Sequence, residues 1–422
     1  MKFKKKILKN GLRVITAPMN GAPTVTALIL VETGSKYETK KINGLSHFLE
    51  HMCFKGTTMR PMARDISTEL DALGTHYNAF TSQEYTGYYV KGDAKHFKKL
   101  FDVVSDIYLN STFPETEMEK EKGVIIEEIN MYEDMPQAHV QDIFAELLYG
   151  DQPAGWNIAG PRENIRAMKR VDFMKYKNEH YVPKATTVVI AGGIKETEAM
   201  SFVKKIFGGL KNKSKAGKIK TKEVQKTAQF KQKEKKTDQT HMVLGFRSFD
   251  IWSKKNPAVG VMVSVLSGGM SSRLFQKLRE DMGVCYYVRA SNSPTTDVGS
   301  FEISAGVTNN RVLEVTEEIL KECKRLKTEL VSKQELEKVK EYIIGNSKMS
   351  LEASDDIANF LGGQEILKHE IKSPEEKFKQ VRAVTATDIK RVANEIFQNN
   401  KLNMAFIGPK VDPKKLKNIL KI

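Results

Sequence analysis

Between Gly44 and Phe54 the chain reads Gly-Leu-Ser-His-Phe-Leu-Glu-His-Met-Cys-Phe. At about 100° per residue this is an amphipathic helix. Leu45, Phe48, Leu49 and Met52 form one apolar stripe, and His47, Glu50 and His51 lie together on the other side. Side chains at i and i+4 stand one above the other on a helix, so the two imidazoles can share one ion. Glu50 joins the same face and can polarise a water held by that ion. A bare His-x-x-x-His is more often a solvated helix face. The order His-x-x-Glu-His favours a metal site, because it is an inverted zincin arrangement.

A chain of 422 residues exceeds one ordinary core, so two domains are expected. With 40% hydrophobic and 28% charged residues it reads as a soluble globular protein. No run of about eighteen apolar residues exists, so no membrane span is expected. The basic start fails as a signal peptide because Lys9, Asn10 and Arg13 interrupt any apolar stretch. Asn10-Gly11 reads instead as a β-hairpin turn, and a cytoplasmic location is expected. Cys53, Cys285 and Cys323 are widely spaced and odd in number, which argues against disulfides and against a thiolate zinc site. Cys53 is expected to pack rather than ligate. The formal charge of +16 sits largely in lysine tracts between Lys204 and Lys236 and between Lys401 and Lys421. Such runs are usually solvated faces or linkers. A nucleic-acid or anionic-surface binding module is the distant alternative, and no motif or aromatic interleaving supports it.

Taken in order, the chain gives strands over 12–32, the His helix, a polar helix near 63–73 and a hairpin over 77–90. Helices at 94–109 and 114–135 follow, the second opened by Pro114 and stopped by Pro136. Further helices (138–148, 171–180), a strand at 186–190 and a helix at 196–207 close the half. The pattern then returns. Asp172 through Gly192 matches Asp388 through Gly408, a shift of 216 (388 − 172). Glu117 through Ile126 matches Glu335 through Ile344, a shift of 218 (335 − 117). The expected fold is α+β: two copies of one α/β-roll unit, each a mostly antiparallel sheet flanked by helices. The expected layout is a metal-binding domain at 1–212, a lysine-rich linker at 213–237, and a repeat lacking metal ligands at 238–422.

A catalytic zinc site usually has three protein ligands, so His47 and His51 need a third. On the helix 115–135, Met118, Ile125, Ile129 and Tyr132 define the buried stripe. Glu121 and Glu128 fall at its edge, while Glu127 faces water. Carboxylates beside an apolar stripe are costly unless a cation or hydrogen bonds compensate. In the second copy Val339 and Asn346 occupy these two positions, and the stretch matching the His helix (258–270) has no histidine. Joint loss of base and ligands from one copy points to a metal site in the other.

With these residues the chain resembles the M16 metallopeptidases, the pitrilysin and mitochondrial-processing-peptidase family with its LuxS/MPP-like metallohydrolase fold. It is closest in length to the bacterial members, about half the length of the long ones. The resemblance implies that His47, His51 and Glu128 hold Zn²⁺, although such a donor set also accepts Mn²⁺ or Co²⁺. It further implies that Glu50 is the general base, that Glu121 is an additional acid of the catalytic helix, and that Asp142 is an acid beyond the ligands. Asn78, Ala79 and Phe80 would pair with an extended peptide, and Arg279 and Tyr286 of the second copy would help hold it. The implied activity is endopeptidase cleavage of peptides or unfolded segments by a homodimer, or by a heterodimer with a related subunit. A catalytically silent subunit of such a pair is the nearer alternative.

Overall fold

The hairpin expected at Asn10-Gly11 forms. β1 (Lys4–Ile7) pairs antiparallel with β2 (Arg13–Pro18), Lys6 lying opposite Val14. β3 (Thr24–Val31), β4 (His76–Thr81), β5 (Thr86–Asp93) and β6 (Thr186–Gly192) complete a sheet of order β1-β2-β6-β3-β5-β4. In this computed structural model, which describes residues 1–422, only β2 and β6 of that sheet run parallel.

β3 is apolar along nearly its whole length because both faces of the sheet are covered. Val25, Ala27, Ile29 and Val31 point into a core that includes Phe48 and Phe101. Leu28 and Leu30 point the other way, onto Ile357, Ala358 and Leu361 of the helix Ser354–Lys368. Each leucine so buried contributes roughly 1.5–3 kcal/mol. A Cβ added at Gly362 would lie 2.7 Å from Leu30 Cδ1, so this glycine sets how closely helix and sheet approach.

A second sheet has the order β7-β11-β8-β10-β9, built from β7 (Gln229–Glu234), β8 (Gln239–Ser248), β9 (Cys285–Pro294), β10 (Gly299–Thr308) and β11 (Leu402–Gly408). Its single parallel pair is β7 with β11. Strand for strand this repeats β2-β6-β3-β5-β4, and the two-copy α+β fold stands.

Two details differ from expectation. The linker at 213–237 contains β7, which lies at the same shift of 216 from β2 (229 − 13). Its sequence, QFKQKE, is polar because an edge strand has one neighbour and little to bury. The compact units are also not contiguous halves. The first comprises Met1–Asn130, Trp156–Ile219 and Lys348–Ser373; the second comprises Met131–Gly155, Lys220–Ser347 and Pro374–Ile422. The helix Pro136–Tyr149 puts Val140, Ile143, Phe144 and Leu148 on Val243, Ala405 and Ile407 of the second sheet, while Ser354–Lys368 covers the first. These helices are themselves repeat counterparts (354 − 136 = 218). Each copy lends the other its cover.

Part of the lysine tract is neutralised locally, with Lys215 on Glu32 at 2.6 Å, Lys231 on Glu146 at 2.6 Å and Lys235 on Asp134 at 3.1 Å. No helix is long and apolar enough to cross a membrane.

Candidate metal centre

The His helix spans Leu45–Met52, and its start is over-determined. Gly44 has φ 101°, and a Cβ there would meet Ala159 O at 2.5 Å. The buried Glu38 carboxylate accepts from Ser46 N at 2.6 Å, Gly44 N at 2.9 Å and Asn43 Nδ2 at 3.0 Å. A carboxylate here satisfies amides that the first helical turn leaves unpaired and opposes the positive end of the helix dipole. Burial nevertheless pushes Glu38 up to about 7 from 4.5, outweighing the hydrogen bonds from Ser46, Asn43 and Gly44. The folded state therefore holds this proton more tightly than the unfolded chain. The stability it contributes is complete below pH 4.5 and is lost as pH rises through about 7. Glu38→Gln is expected to flatten the pH dependence of urea unfolding across that window.

The apolar stripe forms as read, with Leu45, Phe48, Leu49 and Met52 all buried. Phe48 meets Phe173 edge to face at 4.8 Å. Phe48→Ala is expected to cost the fold about 3–5 kcal/mol, measured by denaturant unfolding. Cys53 is buried and packs with Sγ 3.5 Å from Tyr88 Oη.

The opposite face of the helix meets the helix Glu115–Asp134. Met118, Glu121, Ile125 and Ile129 are buried along it, and Glu127 is exposed. Tyr132, expected in the buried stripe, is 44% exposed, because the helix leaves the first unit after Asn130. Seven residues separate Glu121 from Glu128, two helical turns, so both carboxylates share a face. His47 Nε2 and His51 Nε2 lie 3.6 and 3.5 Å from Glu128 Oε2. Such distances are long for hydrogen bonds. Zinc bonds of about 2.0–2.1 Å at tetrahedral angles would separate ligand atoms by roughly 3.3–3.4 Å, so the spacing suits an ion between them. One ligand atom from each of His47, His51 and Glu128 falls within 4.8 Å of the others.

The two imidazoles sit in different electrostatic surroundings. Burial, helped by neighbouring His51, lowers His47 to about 4, which keeps its ring neutral with a lone pair to offer. Burial also works to lower His51, but a hydrogen bond to Glu121 and the charges of Glu50 and Glu128 outweigh it. His51 Nδ1 donates to Glu121 Oε1 at 2.9 Å, which turns Nε2 toward Glu128. A histidine ligand usually donates its other N–H to a carboxylate in this way.

Glu50 is nearly buried and accepts from Thr81 Oγ1 at 2.9 Å. Burial raises its pKa; His51 and the Thr81 hydrogen bond oppose that, and Glu128 adds to it. Thr81 ends β4, which pairs only with β5 and presents a free edge. Asn78, Ala79 and Phe80 lie on that edge, Asn78 exposed and the other two half-buried. A pocket of about 430 Å³ opens beside Glu50 and His51, walled by Phe54, Ile66, Tyr77 and Asn78.

Glu121 is thus the acid brought to a candidate ligand, whereas Asp142 lies half-buried on the helix Pro136–Tyr149, in the second unit. Also in that unit, Arg279 Nη1 donates to Tyr286 O, and the guanidinium lies 5.2 Å from the Tyr286 ring centroid. Tyr286 is 71% exposed. Residue reading missed three partners: Glu38, Thr81 and Lys55, the last with Nζ 2.6 Å from Glu121 Oε2. Thr81 and Lys55 act on groups distant in sequence, whereas Glu38 acts within eight residues, on the helix start.

Comparison with known proteins gives the family. Residues 13–162 match the family model described as insulinase (peptidase family M16), and residues 167–343 match the peptidase M16 inactive domain. An uncharacterised zinc protease of Bacillus subtilis is 34% identical over 410 residues, covering 96% of this chain and 98% of its own. One from Rickettsia bellii is 33% identical, covering 95% and 96%. The crystal structure of a protease from Helicobacter pylori superposes with a TM-score of 0.92 at 24% identity, over 97% of this chain and 99% of that one. The chain belongs to peptidase family M16. Val339 lies inside the region matched as inactive, and Asn346 lies just beyond its end.

Proposed function

We infer that this chain is a zinc-dependent endopeptidase acting on extended peptides or unfolded segments, with Glu50 as general base. The observation that carries the reading is the ion-sized gap between His47, His51 and Glu128 with Glu50 on the same helix face. His47, His51 and Glu128 would hold the zinc ion, which would supply a Lewis acid and acidify water there. Glu50 then serves as proton carrier, taking the proton from water and returning it to the leaving amine. Its raised pKa suits both halves of that task. Glu121 holds the His51 ring in the tautomer that leaves Nε2 free.

The free edge of β4 offers backbone groups to a substrate strand added beside Asn78, Ala79 and Phe80. Backbone pairing tolerates many sequences but requires an extended chain, which selects unfolded segments over folded proteins. Arg279 and Tyr286, already paired with each other, are proposed to hold substrate, and Asp142 is proposed as an outer acid. The proposed assembly is a homodimer, or a heterodimer with a related subunit.

Zinc analysis together with cleavage of an unstructured peptide by the lone purified chain tests the reading. Zinc binding with cleavage supports it. Zinc binding without cleavage would favour a silent subunit, compatible with the inactive-domain match.

A further inference from the structure

Lys55 lies just beyond the His helix, four residues after His51, and its side chain is 26% exposed. Its Nζ stands 2.6 Å from Glu121 Oε2, while Glu121 Oε1 accepts from His51 Nδ1 at 2.9 Å. Glu121 itself is only 5% exposed. A buried carboxylate with one oxygen unpaired is costly, and it would be free to turn toward another donor. Lys55 removes that freedom by occupying the second oxygen, so the first stays aimed at the imidazole. The lysine and both histidines are carried by one short segment, whereas Glu121 comes from a different helix with Glu128 two turns further on.

We propose that Lys55 is a positioning residue for the metal centre, acting through Glu121 to fix the orientation of His51. The inference deepens the metal-centre reading and rests on it. A different role is conceivable from position alone, because Lys55 also lines the pocket beside Glu50 and its ammonium could meet an acidic substrate group. Its short contact with Glu121 favours the positioning role.

Zinc affinity, measured by chelator competition on the full chain, separates these cases without relying on turnover. Lys55→Met should weaken zinc binding by roughly 10–100-fold, the range typical of partners just outside the ligands. Lys55→Arg, which keeps charge and donor, should restore most of that loss. Glu121→Gln should weaken binding similarly. The double variant should bind no worse than Glu121→Gln alone, because two residues acting through one contact do not add. In peptide cleavage, kcat at fixed zinc should fall with KM unchanged. Wild-type zinc affinity in Lys55→Met, additive losses in the double variant, or a raised KM with zinc binding intact would overturn the proposal and leave the metal centre standing. If the unmodified chain binds no zinc, the metal-centre reading fails first and this inference with it.

Discussion

Glu50→Gln is expected to lower kcat for cleavage of an unstructured peptide by about 10²–10⁴-fold, the range a positioned general base contributes. The change is isosteric, and the amide oxygen can still accept the Thr81 hydroxyl that now bonds Glu50 Oε2 at 2.9 Å. The helix should therefore keep its packing, and zinc content should match wild type. What disappears is a group able to take a proton and give it back. Measuring kcat and bound zinc on the same sample separates a lost base from a lost metal. Unchanged turnover would remove Glu50 from the mechanism.

Glu128→Gln is expected to have the largest effect on metal retention. An amide is a neutral and poorer ligand, so the loss in zinc affinity should exceed the roughly 10–100-fold typical when only an outer partner is removed. The neighbouring Glu127→Gln is the internal control. Its side chain is exposed on the far side of the same helix, and its loss should leave affinity unchanged. Equal loss from both variants would show that general helix charge, rather than Glu128 itself, supports binding.

The His helix was legible because two local signals coincide: an apolar stripe at helical spacing and three chemically matched residues on the opposite face. Periodicity also separated Glu121 and Glu128 from Glu127, since a buried stripe fixes which carboxylates can be near it. The repeat was legible wherever its strands are buried, as at β6 and β11. It was missed at β7, an edge strand whose lysines and glutamines hide the pattern, although the shift of 216 from β2 would have revealed it. The exchange of covering helices was not legible. The apolar face of Pro136–Tyr149 requires a sheet to cover, but nothing in its spacing says which of two similar sheets that is. Tyr132 failed for a related reason: helical phase continued while the surrounding core did not. Thr81 and Lys55 became visible only through contacts distant in sequence, and Glu38 only through the local loop geometry that aims it at the helix start.

X-ray absorption at the zinc edge tests the convergence of His47, His51 and Glu128 most directly. The zinc-loaded chain should show a shell of nitrogen and oxygen donors at about 2.0–2.1 Å, with imidazole scattering from two rings that drops to one in His51→Ala. A sulfur shell at about 2.3 Å, or a spectrum unchanged by His51→Ala, would place the ion elsewhere and contradict the assignment.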